Sequence, residues 1–191
     1  ELGNQVLARA CRDAMSMPAD VKVAVNLSAL QFAGTNLVDT VTFALAQSGL
    51  PQTRLELEIT ESVFLADTEE NLKTLQRLKA LGVSIALDDF GVGYSSLSYL
   101  TAFPFDKVKI DKSFIDRIDR CETVAVLKSI VQLAKTLKLS IVAEGVESFE
   151  QVKRLQSLGI PLGQGFHFSK PVPLAGLSWQ APPARRKRRA A

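Results

Sequence analysis

Five β-rich stretches each carry a polar or charged side chain near the carboxyl end: Asn26, Glu58, Asp88 with Asp89, Lys109 with Asp111, and Glu144. If those ends converge, the carboxylates repel one another and take up protons unless a cation compensates them, so the pattern implies a bound metal. Oxygen donors without thiolate or imidazole select hard ions, which makes magnesium or manganese the expected occupant. Asp88 beside Asp89 offers a route to two adjacent ions, and two ions about 4 Å apart are the standard arrangement for phosphodiester hydrolysis. Lys109 among the acids would stabilise phosphate charge or orient the attacking water. Any one of these residues alone reads more readily as a solvated strand end or a helix cap than as a ligand. Their recurrence on five strands in succession carries the reading.

The elements that must position them are legible from periodicity. Strands are predicted at Val21 to Asn26, Leu55 to Thr60, Ser84 to Asp88, Lys107 to Asp111, Ser140 to Glu144, and around Gly165 to Phe168. Between the first two, a helix presents Leu37, Val41, Ala44 and Leu45 on one face and stops at Gly49. The next opens with Asp67 and Glu70 in capping-box spacing, carries Leu72, Leu75 and Leu78, and ends at Gly82. A longer helix carries Val124, Leu127, Ile130, Val131, Ala134 and Leu137, and the last runs from Ser148, with Gln151 three residues on, to Gly159.

Strands joined by amphipathic helices imply parallel pairing with right-handed crossovers, in a doubly wound sheet or a (β/α) barrel. Leu55, Leu57 and Ile59 alternate with Glu56, Glu58 and Thr60, and Lys107, Lys109 and Asp111 repeat that polar face. Strands covered by helices on both sides should be apolar throughout, so the recurring polar face favours a barrel with a polar mouth. In that architecture the carboxyl ends of the strands surround the site.

Composition narrows the function classes. A chain of 191 residues with 47% apolar and 23% charged content suits one soluble domain. The net charge of +3 comes from the tail: five of the 23 basic residues are Arg185 to Arg189, and without them 18 face 20 acidic residues. The charge of the body therefore gives no reason to expect a face for a nucleic-acid polymer, and the run itself reads as a solvated, disordered terminus over residues 179 to 191. Cys11 and Cys121 have no CxxC spacing, which excludes a disulfide framework or thiolate metal site and fits a reducing, cytoplasmic compartment. No apolar run approaches 18 residues, so membrane contact would come only through segments outside this chain. His167 is the sole histidine, which removes Ser-His-Asp and Cys-His catalysis and imidazole-rich zinc sites; without a partner at a recognisable spacing it reads as structural.

The stretch Asp88 to Ser96 follows a strand directly and is glycine-rich, which suggests a loop over the mouth. Its Asp89-Phe90-Gly91 core also occurs in protein kinases, but a Gly-rich loop with a following strand lysine and an upstream His-Arg-Asp loop are both missing. Gly91-Val92-Gly93 as a phosphate cradle is weak evidence.

Val25-Asn26-Leu27-Ser28, Glu58-Ile59-Thr60-Glu61-Ser62, the Asp88 to Ser96 loop, Lys109-Ile110-Asp111, Ala143-Glu144-Gly145-Val146-Glu147 and Gln164-Gly165 follow in an order and spacing that resemble the EAL domain family, from about Leu2 to about Pro173. The resemblance implies a (β/α) TIM-like barrel over residues 1 to 178 that hydrolyses one phosphodiester bond of the bacterial second messenger cyclic di-GMP, giving linear pGpG. By resemblance, Asn26, Glu58 and Asp88 would bind one Mg2+ or Mn2+ ion and Asp88 with Asp89 a second. Lys109 and Asp111 would position the water, and Glu144 would be a general base or part of the metal shell. Glu61 would hold the glycine-rich loop, Glu147 would support the site from behind, and Gln164 and Ser28 would sit near the substrate. A homodimer is implied by resemblance alone.

Two features depart from the family pattern. The strand bearing the Glu-Ala-Leu motif, whose glutamate is a metal ligand, precedes the first residue, so six strand candidates and exposed sheet edges are expected of an N-terminally truncated barrel. Val92 stands where threonine or alanine is usual. The sequence thus leaves three readings: a phosphodiesterase in the intact parent, a non-hydrolytic cyclic di-GMP receptor, or a regulatory scaffold.

Overall fold

The computed structural model describes residues 2–32, 36–61, 63, 68–91 and 97–177. Ser62, the predicted cap Asp67, the loop residues Val92 to Ser96 and the basic tail lie outside the described residues.

Helices and strands alternate in chain order: α1 (Leu2–Ala14), β1 (Val23–Leu27), α2 (Ala29–Phe32), α3 (Leu37–Ser48), β2 (Leu55–Thr60), α4 (Thr68–Ala80), β3 (Ser84–Phe90), α5 (Leu97–Ala102), β4 (Lys107–Ile110), α6 (Lys112–Ile115), α7 (Cys121–Leu137), β5 (Ser140–Ala143), α8 (Phe149–Leu158) and β6 (Leu162–Gly163). The strands form one sheet in sequence order, with every neighbouring pair parallel. A parallel pair cannot be joined by a tight turn, so each strand is followed by a helical crossover. This is the α/β architecture of a TIM-like barrel. Among the described residues β1 and β6 each keep one unpaired edge.

Strand alternation divides the sheet into two chemically opposite faces. Leu55, Leu57, Ile59, Ile85, Leu87, Val108, Ile110 and Ile141 are buried and form one core with Val41 and Leu45 of α3, Leu75 and Leu78 of α4, Leu127 and Val131 of α7, and Leu155 of α8. Each fully buried Leu or Ile contributes about 2 kcal/mol, so this helix-covered face fixes the register of the strands. The opposite face carries the polar residues and is treated below. α8 opens on the predicted capping box between Ser148 and Gln151 and, like α3, ends on a left-handed glycine, Gly159 and Gly49 respectively. α7 stops without one, on Lys138 at φ 60°.

The last strand lies earlier in the chain than its sequence suggests. β6 pairs Leu162 with Val142 and Gly163 with Ala143, and the ladder continues as the Gln164 N–H donates to the Ala143 carbonyl at 2.8 Å. Residues 165 to 168 turn instead, the Phe168 N–H donating to the Gly165 carbonyl. Aromatic residues there imitate a strand pattern. The backbone of Val146, however, occupies the space a Cβ at position 165 would need, its carbonyl oxygen 2.2 Å away. Only glycine permits that approach.

Arg54 ties the amino-terminal layer to the sheet. Its buried guanidinium donates from Nε to the Val21 carbonyl at 2.8 Å, and from Nη2 to the carbonyls of Ala14 at 2.8 Å and Pro18 at 3.0 Å. It thereby satisfies the last turn of α1 and the approach to β1 together. Replacing it with methionine keeps the packing stem and orphans these carbonyls. Arg54→Met is expected to lower urea-unfolding stability by about 2–4 kcal/mol; a loss below about 1 kcal/mol would contradict the clasp.

Candidate metal centre

The inner face of the sheet is built from β2, β3 and β4. Register pairs Asn26 with Glu58, Glu58 with Ala86, Thr60 with Asp88, and Lys109 with Val142, so these side chains share one face. β2 and β4 are separated by β3, whose inward residues at this level are the small Ser84 and Ala86. Long side chains from β2 and β4 meet over them. Glu58 of β2 reaches Lys109 of β4 at 2.8 Å, and Glu56 pairs with Lys107 in the layer beneath.

Lys109 is the centre of the cluster. The residue is 4% exposed, and its ammonium lies 2.8 Å from Glu58 Oε2, 2.9 Å from Asp88 Oδ1 and 2.8 Å from Glu144 Oε1. Burial works against its charge, but hydrogen bonds to Glu144, Glu58 and Asp88 more than offset it and hold the pKa well above the usual lysine value. Lys109 is a fixed cation.

Asp88 and Asp89 reach the same site through a break in strand regularity. Leu87 pairs with Val108 and Phe90 with Ile110, so two residues on β3 stand opposite the single Lys109 on β4. This is a β-bulge, which frees consecutive side chains from strict alternation. Asp89 takes φ 53°, a left-handed conformation that aspartate tolerates better than most residues. Its N–H donates to Asp88 Oδ1 at 3.1 Å. Gly91 follows at φ 100°, with the Phe114 ring of α6 lying 2.4 Å from where a Cβ would stand and Glu61 Oε1 accepting its N–H at 3.4 Å. The bulge is therefore held from two sides.

Carboxylate oxygens of Asp88, Asp89 and Glu144 come within 4.8 Å of one another. At an effective dielectric of about 20, two unit charges about 5 Å apart repel by about 3 kcal/mol, and by less where solvent screens the exposed Asp89. Proton affinities respond accordingly. Asp89 is raised by burial and by repulsion from Asp88 and Asp111. Glu144 is raised by burial, with Lys109 pulling the other way and Asp88 adding to the rise. Glu58, Asp88, Asp89 and Glu144 around one lysine leave three negative charges uncompensated when all four are ionised. An all-oxygen donor set with that excess fits a hard divalent cation, and Asp88, Asp89 and Glu144 lie close enough together that they could hold one.

The remaining predicted residues lie around this centre. Asn26 shares the face and level of Glu58 and is exposed, because β1 is the sheet edge. Asp111 caps α6, accepting the Ser113 N–H at 2.8 Å. Glu147 is half-exposed and ion-paired with Lys112. The Ser28 hydroxyl is bonded to Gln31 Oε1 at 3.0 Å at the start of α2. Gln164 is exposed just beyond β6, and its backbone is bonded to Ala143 and Val146. His167 rests against Phe149 and Phe168, its ring stacked on the first and edge-on to the second. Phe114, which abuts Gly91, has no distinguishing signal in the sequence.

A model of the family described as EAL domain matches residues 1–171. The cyclic di-GMP phosphodiesterase NbdA of Pseudomonas aeruginosa is 42% identical over 182 residues, covering 93% of this chain and 23% of that protein. Among solved structures, "PaMucR Phosphodiesterase, c-di-GMP complex" is 45% identical with a TM-score of 0.84, covering 90% of this chain and 72% of that one. The manganese and cyclic di-GMP complex of Klebsiella pneumoniae BlrP1 is 34% identical with a TM-score of 0.82, covering 89% and 44%. The chain spans about a fifth to a quarter of the length of the curated relatives it matches.

Removing the central ammonium while keeping a stem of similar volume should expose the stored repulsion. Lys109→Met is expected to lose about 3–5 kcal/mol in urea unfolding without metal and to regain part of it in millimolar Mn2+. A loss under about 1 kcal/mol would contradict the charge balance described.

Proposed function

The chain belongs to the EAL domain family, and from that membership and the acidic rim we propose that it carries the catalytic barrel of a metal-dependent phosphodiesterase that converts cyclic di-GMP to linear pGpG. The observation that carries the proposal is the convergence of Asp88, Asp89 and Glu144 on one point beside a triply paired Lys109. A phosphodiester is an anion, and a mouth of bare carboxylates would repel it. A site that holds divalent cations among those carboxylates attracts it instead.

Asp88, Asp89 and Glu144 would hold the metal, with Glu58 and Asn26 contributing from the adjacent strands. Mg2+ or Mn2+ suits the donor set, and the Asp88–Asp89 doublet would serve two ions; BlrP1 in complex with manganese supports the choice of ion class. When bound, such ions polarise a phosphoryl oxygen and make water a stronger nucleophile at neutral pH. Lys109, immobilised by its three partners, orients the carboxylates that face it and presents positive charge beneath the phosphate. Glu144 would take part in that metal shell or, as a general base, accept a proton from the attacking water. Asp111 would orient that water, Glu61 would steady the turn at Gly91, Glu147 would brace the loop that bears Glu144, and Gln164 and Ser28 would contact the nucleotide. The oxygen of water joins phosphorus, one ester bond breaks, and the leaving 3′ oxygen takes up a proton. The family likeness also supports a cytoplasmic location and a homodimer.

The purified full-length parent protein supplied with Mg2+ or Mn2+ is expected to convert cyclic di-GMP to pGpG by chromatographic assay, and Asp88→Asn to fall to about one hundredth of that rate or less. Binding of cyclic di-GMP without turnover would identify a receptor instead. Neither binding nor turnover in a folded sample would reject the proposal.

A further inference from the structure

Below the metal centre lies a second charged layer that the chemistry does not use. Glu56 of β2 and Lys107 of β4 form an ion pair across β3, one inward step below Glu58 and Lys109. The Glu56 side chain is 5% exposed and that of Lys107 22%. Below it again, Lys22 donates to Ser84 Oγ at 3.0 Å. The two ion-pair layers have the same construction, a glutamate from one strand and a lysine from the next but one, meeting above the small Ser84 and Ala86.

Identical layers create a choice of partner. Glu58 lies two residues from Glu56 on one strand, and Lys109 two residues from Lys107 on another, so diagonal pairing is the nearest alternative. A buried charge left without its partner is strongly unfavourable and recruits the closest opposite charge. If Lys107 were neutral, Glu56 would compete for Lys109 and draw its ammonium down from Asp88 and Glu144. If Glu56 were neutral, Lys107 would compete for Glu58 and pull it from the rim. The layer matters because each member occupies a competitor of the site above.

We propose that Glu56 and Lys107 are positioning residues, whose mutual pairing keeps Glu58 and Lys109 in the upper layer and so sets the divalent-cation affinity of the centre. The inference rests on the metal-centre reading above, and its consequence is a specific non-additivity. Neutralising either partner alone leaves a competitor; neutralising both removes it.

The test is Mn2+ titration calorimetry on the purified chain and on Glu56→Gln, Lys107→Met, the double variant and the reversed pair Glu56→Lys with Lys107→Glu, each checked for folding by circular dichroism. Each single variant is expected to bind Mn2+ about tenfold more weakly or worse, a size typical of groups that orient metal ligands. The double variant is expected to return to within about threefold of the parent, with the opposite charges of the reversed pair also retaining most of the affinity. A merely structural pair would lower the melting temperature of all variants in proportion and leave Mn2+ affinity unmoved. Should Lys107→Met fail to fold, the nearly isosteric Glu56→Gln still decides. Single variants that bind Mn2+ like the parent, or a double variant as weak as the singles, would overturn the inference while leaving the metal centre standing. No Mn2+ binding by the parent chain would overturn both.

Discussion

Concentrated negative charge is the constraint on which the upper half of this molecule depends. Four carboxylates gather around Lys109, and a single ammonium, however well held, cannot balance them. Such a cluster destabilises the fold unless something of opposite charge returns to it. The protein thus stores electrostatic free energy where strand ends meet, and under the proposed function a divalent cation would release it. Stability and ligand affinity are two aspects of the same arrangement.

The sheet makes that arrangement possible by separating its tasks. The helix-covered face, with Leu57, Ile85, Leu87, Val108 and Ile110, supplies the hydrophobic free energy that fixes strand register. The inner face can then be spent on charge. Small residues on β3 let β2 and β4 reach one another, and the bulge at Asp88 and Asp89 turns two neighbouring carboxylates toward one point. Phe114 and Glu61 secure the turn that follows.

Much of this was legible in the sequence, for identifiable reasons. Period-two alternation in Leu55 to Thr60 and Lys107 to Asp111 marks the polar face, and helical stripes ending at Gly49 and Gly159 mark the crossovers. The parts that escaped depend on long-range contact. Asp88 and Asp89 are expected together at the site, but strict alternation would send them to opposite faces, and only pairing with β4 reveals the bulge that unites them. The run Gly165 to Phe168 looks like a strand until Val146 is packed against it, with the true β6 in the unremarkable Leu162–Gly163. The pairing of Glu56 with Lys107 skips a strand and has no signature in either segment alone.

The central claim, that side chains from separate strands meet to hold a divalent cation, is tested most directly by anomalous diffraction from crystals soaked in manganese. The account predicts an anomalous peak bounded by the carboxylates of Asp88, Asp89 and Glu144, with Lys109 still paired beside it. A fully soaked crystal with no peak there, or with manganese bound only elsewhere on the surface, would contradict it.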